Sequence, residues 1–562
     1  MSSMITSLTP LPRTTLRRDI AILCAAALVL LLPFLNKPLH LDDPMYVWAA
    51  RQIRAHPLDF YGFRINWEGQ TVPMAEQMIN PPLFPYYLAA VTHVLGWSEI
   101  GLHLAVLPLS LGVLIGVYFL SRHFVRFPLL PPVLLLVSPG FLVSATTLMC
   151  DVPMLCFWIW SLVLWIRGST RSLICLPVSA TLLGIAALTK YSGACSLPLL
   201  IAYAIMYARP ARTRFVQYAS LLIPVVMVLT YNHFTAARYG RPLFWDAVGF
   251  ASAVTGISAS SQAKLLDGVM FIGGCSLVAA VLAFLACSAR LQVIIAALVP
   301  FLMLLSKQLL SPRQPWASDW AFTLQAALMA AGGITILLIG VVDLARSPGA
   351  SRPKSLLLLL WIAGVYVFAA KLNWAINARS ILPMLPPVCI LAQRALERCT
   401  LLHFRPLVLA GCTAALIAVL VSVADYRTAL GNRVAADLVF QKFPHRRIWF
   451  TGHWGFEYYM LKNGGIAVED LENRCRRNDI LVVAMNNYGI APPTVYFMPL
   501  DKMTADDSPF LTTQNAQLGA GFYFSPGDRL PYRFGDIHPD TFMILQVMED
   551  ARPREIRRTK SE

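Results

Sequence analysis

Three regions of the sequence place ionisable side chains where an otherwise apolar chain has little reason to carry them. Leu39-His40-Leu41-Asp42-Asp43-Pro44-Met45-Tyr46-Val47-Trp48 comes a few residues after the first long apolar segment. Asp151 is the only acid in a long apolar stretch, Thr146-Thr147-Leu148-Met149-Cys150-Asp151-Val152-Pro153. Lys190 ends the run Ala187-Leu188-Thr189-Lys190-Tyr191, and Arg379 follows Asn377 between two later apolar segments. A carboxylate at lipid depth costs about 3 kcal/mol unless water or a partner receives it. Asp42 and Asp43 are therefore expected to face a water-filled chamber on the outer side. Carboxylates so placed can take up a proton or hold a hard cation, and Lys and Arg can hold an anion. Each residue also has a plainer explanation. Asp43 before Pro44, and Asp151 before Val152-Pro153, fit helix starts, and Lys190 or Arg379 can snorkel to the interface. Capping leaves Asp42 without a reason to be there.

The elements that must position these residues are mostly spans. Of 562 residues, 57% are hydrophobic and 14% charged, against about a quarter charged in soluble proteins. This composition is that of an integral membrane protein. The net charge of +16 comes from arginines in short clusters between apolar runs, which read as topology signals rather than a nucleic-acid surface. Nine of the 11 cysteines lie in apolar segments, so neither a disulfide framework nor zinc spacing follows. The run 20–36 resembles a signal sequence without a small-residue cleavage site and is expected to stay as a first span.

Apolar runs of spanning length fall at about 20–36, 101–120, 129–148, 152–167, 172–189, 192–208, 215–234, 268–289, 291–306, 320–345, 355–371, 380–396 and 406–424. Basic residues dominate alternate loops, which places the N-terminus in the cytoplasm and the C-terminal region outside. The fold expected is a multispanning α-helical membrane protein of about thirteen helices, with a small C-terminal α/β extracytoplasmic domain. The transmembrane unit is 1–424, with an outer loop at 37–100 whose pieces Pro44 to Ala55 and Leu83 to Trp97 have amphipathic helical spacing. The second unit is 425–550, with strand-like runs at Arg447–Thr451 and Ile480–Ala484 around a helical Gly455–Lys462. A basic tail, 551–562, is expected to be disordered. On this topology Asp42, Asp43, Asp151, Lys190, Asn377 and Arg379 share the outer side of the membrane.

These residues resemble a family. Asp42-Asp43-x-x-Tyr46 is similar to the Asp-Glu-x-x-Tyr motif of the multispanning GT-C type glycosyltransferases that use polyprenyl-phosphate sugars, such as the protein O-mannosyltransferases and the lipid A aminoarabinose transferase. Four further stretches agree in order: Asn80-Pro81-Pro82-Leu83-Phe84-Pro85-Tyr86-Tyr87, Asp151-Val152-Pro153, Gly184 to Lys190, and Asn377-Ala378-Arg379-Ser380-Ile381-Leu382-Pro383. Asp43 stands where Glu is usual, and Asn80 where a Lys or His often precedes the proline.

The resemblance implies an inverting transfer of a sugar from a polyprenyl-phosphate donor to a lipid, glycan or protein acceptor at the outer, periplasmic face of the inner (plasma) membrane. The catalytic candidates are Asp42, Asp43 and Asp151, with Asp42 assigned as the base that takes the acceptor proton. Lys190 and Arg379 would bind the donor phosphate. Tyr46, Asn80, Tyr86 and Asn377 would line the substrate cavity. Asp42 and Asp151 could hold a divalent cation, Mg or Mn, and no other cofactor is implied. Gly452-His453-Trp454-Gly455 would help cap the cavity. A transporter or flippase of lipid-linked sugars would use similar charges, but nearer the mid-membrane and within paired repeats. A non-catalytic component of envelope polysaccharide assembly would tolerate loss of Asp42 and Asp151.

Overall fold

The structure is a computed structural model of the chain. It describes residues 13–550 apart from 68, 208, 258–260, 311–318, 400–403, 470–473, 486–495, 506 and 525–529. The expected tail at 551–562 lies outside the described residues.

The first helix, α1 (Arg13–Leu31), ends in a 3-10 turn with Pro33. The outer loop then supplies α2 (Asp43–Ala55), a short hairpin of β1 (Arg64–Asn66) and β2 (Thr71–Pro73), and α3 (Leu83–Leu95). Both loop helices fall where the apolar spacing places them. Most of α2 is buried, with Tyr46, Val47, Ala49 and Ala50 at the centre. It is thus a packed element of the protein core.

Three helices then bring distant charges level. After α4 (Glu99–Ser121), α5 (Asp151–Thr170) and α6 (Cys175–Thr189) pack antiparallel. Their seam is fixed by small hydroxyl residues. Ser161 Oγ donates to the Ser179 carbonyl at 2.9 Å, and Ser179 Oγ donates to the Ser161 carbonyl at 2.7 Å. Such small residues allow close helix approach in lipid. Asp151 lies ten residues before Ser161 and Lys190 eleven after Ser179. At 1.5 Å rise per residue, both stand about 15 Å from the seam, on the same side.

Among the described residues seven helices are long and apolar enough to cross a membrane, or eight if the pair Gln262–Cys275 and Leu277–Ala286, bent by 89°, is one span. The other expected spans are helical but shorter or interrupted. The run 129–148 divides into Leu130–Leu136 and Pro139–Ser144, because Pro139 cannot donate into the preceding turn. The run 192–208 is a 3-10 turn, Tyr191–Ser196, followed by Leu197–Met206 with Pro198 in its first turn.

After the span-length helix Arg352–Leu372 come a single helical turn, α7 (Ala378–Ile381), the helix Leu385–Arg398 and the last of the span-length helices, α8 (Phe404–Lys442). The domain division at 425 meets no break, since α8 runs through it for 39 residues. The sheet that follows has β3 (Ile448–Thr451), then α9 (Trp454–Lys462), β4 (Ile466–Ala467), β5 (Ile480–Ala484), β6 (Phe497–Thr504) and β7 (Thr541–Val547). Its strand order is β4-β3-β5-β7-β6, with β3 parallel to β4 and β5 and β7 antiparallel to β5 and β6. Buried residues Ile448, Phe450, Ile480, Val482, Phe542 and Ile544 join the main core under it.

The C-terminal region is docked onto the outer loop. The Tyr459 hydroxyl of α9 accepts from Leu39 N at 2.9 Å and donates to Glu99 at 3.0 Å. Gly455 has no side chain for a steric reason, as a Cβ there would lie 2.1 Å from the Leu39 carbonyl oxygen. The Gly452–Gly455 stretch therefore sits on the segment that leads to Asp42.

Candidate active site

The four residues Leu148 to Asp151 each hold one partner from elsewhere in the chain. Leu148 N donates to Asp43 Oδ1 at 2.9 Å. Met149 Sδ accepts from Arg379 Nη1 at 3.0 Å. Cys150 Sγ lies 3.0 Å from the Tyr46 hydroxyl. Asp151 Oδ1 accepts from Lys190 Nζ at 2.5 Å. Four of the five sequence motifs thus meet on one short turn, and the fifth joins through Asn80, whose Nδ2 donates to the Tyr46 hydroxyl at 3.0 Å.

Asp42 and Asp43 have divergent surroundings. Asp43 is fully buried, and its other oxygen accepts from His40 N at 3.0 Å. The expected capping by Asp43 takes another form. It occupies the first position of α2, and its carboxylate reaches back to His40 and across to Leu148. Burial pushes its carboxyl up to about 7, against the downward pull of the His40 N–H, the Lys37 charge and the Leu148 N–H. With both oxygens engaged, Asp43 is a staple between the outer loop and the 148–151 turn. Asp42 keeps 32% of its side chain exposed, and its Oδ2 accepts from Arg379 Nη1 at 2.7 Å. The preceding Leu41 is buried with φ at +49°, a left-handed conformation that a branched residue adopts only when its neighbours impose it. That backbone turn directs Asp42 away from the buried side taken by Asp43.

Local breaks in helices present the two cations. Lys190 is the extended residue after α6, with Gly193 packed in the following turn so closely that a Cβ would meet the Ala186 carbonyl at 2.5 Å. Arg379 is carried by α7. The Asn377 side chain caps that turn by accepting from Ser380 N at 2.8 Å, and Ser380 Oγ completes the box on Asn377 N at 3.1 Å. Ala378 N donates to the Phe522 carbonyl at 2.9 Å, which ties the Arg379 turn to the C-terminal region. Burial opposes the charge on Arg379, but Asp42 and Asp151 together outweigh it and hold its pKa above the ordinary value.

Two of the cavity candidates also take structural roles. Asn377, expected to line the substrate cavity, is the cap that presents Arg379. The Tyr86 hydroxyl donates to the Pro57 carbonyl and its ring packs on Phe60, so it braces the outer loop. Tyr46, buried, and Asn80 do reach the cluster. Asp42 is the partly exposed member of the cluster; among the described residues Asp151 Oδ2 and Arg379 Nε are buried without a hydrogen-bond partner, so each has hydrogen-bonding capacity to spare. The Asp42 and Asp151 carboxylates do not fit a divalent cation as they stand, since each is already paired with a cationic side chain. Among the described residues no three His, Cys, Asp or Glu side chains gather as a metal site.

A second buried cluster escaped the sequence analysis. Lys37 and Asp425 are both fully buried and meet at 2.5 Å. Asp425 also accepts from the Thr513 and Tyr523 hydroxyls, each at 2.7 Å, and lies 3.6 Å from His40 Nε2. Burial lowers His40 to about 4 despite the nearby Asp425 charge, so the ring is neutral at physiological pH. The only advance signal is a lone Lys just past the first apolar run and a lone Asp just past the last.

Residues 80–232 match the family described as dolichyl-phosphate-mannose-protein mannosyltransferases. The match contains Asn80, Asp151 and Lys190, and the chain resembles that mannosyltransferase family through these motifs. No curated protein matches the chain as a whole. Among solved structures it is similar to ArnT from Cupriavidus metallidurans bound to undecaprenyl phosphate, at 14% identity over 83% of this chain and 93% of that one, with a TM-score of 0.44. It is also similar to the oligosaccharyltransferase AglB from Archaeoglobus fulgidus, in complex with an inhibitory peptide and a dolichol-phosphate, at 11% identity over 84% and 69% with a TM-score of 0.49. The S. cerevisiae Pmt1-Pmt2 complex bound to the sugar donor aligns at 16% identity over 41% and 34%, with a TM-score of 0.32.

Proposed function

We propose that this chain is a membrane glycosyltransferase that moves a sugar from a polyprenyl-phosphate donor to an acceptor hydroxyl at the outer face of the inner membrane, with inversion. Its N-terminus is then cytoplasmic, its C-terminal region extracytoplasmic, and the short and broken apolar helices make up the remainder of thirteen crossings. The observation that carries this reading is the pairing of Arg379 with Asp42 and of Lys190 with Asp151 around the Leu148–Asp151 turn, which Arg379 also meets at Met149. Two acids and two cations from distant segments give a neutral, pre-assembled site for a phosphodiester and a base.

Arg379 and Lys190 hold the donor phosphate, Arg through its planar fork and Lys as a point charge. As the guanidinium turns to phosphate, Asp42 is released as an ionised carboxylate and takes the proton of the attacking hydroxyl. The acceptor oxygen bonds to the anomeric carbon while the bond from that carbon to the phosphate oxygen breaks. Asp42 loses one negative charge as the leaving phosphate gains one, so the charge of the site with its substrates stays constant. Asp151, through Oδ2, orients sugar or acceptor hydroxyls. No step is routed through a metal ion.

The test is transfer of label in membranes supplied with a panel of radiolabelled polyprenyl-phosphate sugars, comparing the wild type with Asp42→Asn at equal protein level. The expected result is transfer by the wild type and a loss of about 10²- to 10⁴-fold in the variant. Label that crosses the bilayer on an unchanged carrier would mean a flippase. Equal transfer by both proteins would remove Asp42 as the base.

A further inference from the structure

A cavity of about 630 Å³ lies between the outer loop and the C-terminal region. Among its walls are Trp48, Arg51 and Gln52 of α2, Asn66 at the end of β1, and Glu457 and Glu469. The first three stand at i, i+3 and i+4 and so share one face of α2. Asp42 lies at the start of the same helix. At 1.5 Å per residue, Trp48 is about 9 Å and Gln52 about 15 Å along the axis from Asp42.

Two groups in this wall lack partners that buried polar atoms normally have. Glu457 is 1% exposed, yet among the described residues neither carboxyl oxygen is hydrogen-bonded, and Asn66 Nδ2 is likewise buried with no such partner. Burial raises the Glu457 carboxyl well above the usual range. Trp48 offers an aromatic wall, edge-on to Trp67 with centroids 6.2 Å apart. An aromatic face beside neutral and charged hydrogen-bonding groups suits a polyhydroxylated ring. A peptide finds less here, because β4, the sheet edge in this wall, offers only the two residues Ile466 and Ala467 for strand addition.

We infer that this groove binds the saccharide portion of the acceptor, so that the acceptor is a glycan or glycolipid whose sugar chain lies along α2 from Glu457 and Asn66 toward Asp42. The inference rests on the transferase reading above. In it, Glu457 and Asn66 are binding residues remote from the reacting atoms, and their loss acts on acceptor affinity with donor use unchanged.

The experiment uses the full chain in membranes with labelled polyprenyl-phosphate sugar as donor and extracted cell-envelope glycolipid as acceptor. It measures acceptor KM, donor KM and kcat for the wild type, Glu457→Gln, Glu457→Leu and Asn66→Ala. The expected result is an acceptor KM raised about tenfold or more in Glu457→Leu and Asn66→Ala, near-wild-type values in Glu457→Gln, and an unchanged donor KM throughout. Unchanged acceptor KM in both Glu457→Leu and Asn66→Ala overturns the groove while leaving the transferase intact. Label arriving on protein rather than on glycolipid also overturns it. No transfer by the wild type defeats the transferase reading and the groove together. Should Glu457→Leu fail to fold, Asn66→Ala alone decides.

Discussion

Asp42 and Asp43 are the same residue type in adjacent positions, and their separate roles come from what each meets. Asp43 spends both oxygens on backbone N–H groups, whereas Asp42 shares one with Arg379 and stays partly exposed. In Asp43→Asn the amide would turn a donor toward one of those N–H groups, a loss expected to cost about 1–3 kcal/mol in thermal unfolding. The same residue gives a pH signature. Its carboxyl is raised from 3.8 to about 7, so between those values the folded chain keeps a proton that the unfolded chain has released. Stability then falls as the pH rises through that window and is level above about 7. Melting scans at about pH 5 and pH 7 should show a larger drop for the wild type than for Asp43→Asn, which does not titrate. At Arg379, replacement by Lys keeps the charge and removes the fork; transfer is expected to fall about 10²-fold, in the range for loss of one oriented donor, measured in the assay above.

The elements that hold these residues are unequally legible in the sequence. Apolar spacing marks α2 and α3, and the short β-branched and aromatic runs mark β3 and β5, because local periodicity is enough for them. The ordered motifs bring Asp42, Asp151, Lys190 and Arg379 together in advance, since all four sit at ends of apolar runs on one side. Spacing cannot tell the staple Asp43 from the exposed Asp42, because those roles depend on Leu148 and Arg379, a hundred or more residues away, whereas the Asn377 cap of α7 is local, made with Ser380 three residues on. It also places a division at 425 where charged residues become frequent, although α8 continues unbroken to Lys442 with Ala429, Ala435, Ala436 and Val439 buried along it. The fit of α9 is similarly hidden. Gly455→Val would drive a side chain into the Leu39 carbonyl, and the expected outcome is undocking of α9, read as faster proteolysis in the 37–43 segment and lost transfer.

Across the whole molecule, the Lys37–Asp425 pair joins the end of the first helix to the C-terminal region, with Thr513 and Tyr523 completing its hydrogen bonds. Removing one partner leaves a buried charge alone, so Lys37→Met or Asp425→Leu is expected to cost about 3–5 kcal/mol, while the double variant should recover much of that loss. Denaturation in detergent with all three proteins checks this. Asp425 also lies near the middle of α8, a helix about 58 Å long at 1.5 Å per residue. The hydrocarbon layer it enters is about 30 Å thick. The rod is thus about twice as long as that layer is thick, and the Lys37 pair clamps it near its middle. On the transferase reading, any tilt that bilayer thickness imposes on this rod passes through Thr513 and Tyr523 into the C-terminal region. On that reading, membrane thickness becomes a dimension of the reaction chamber.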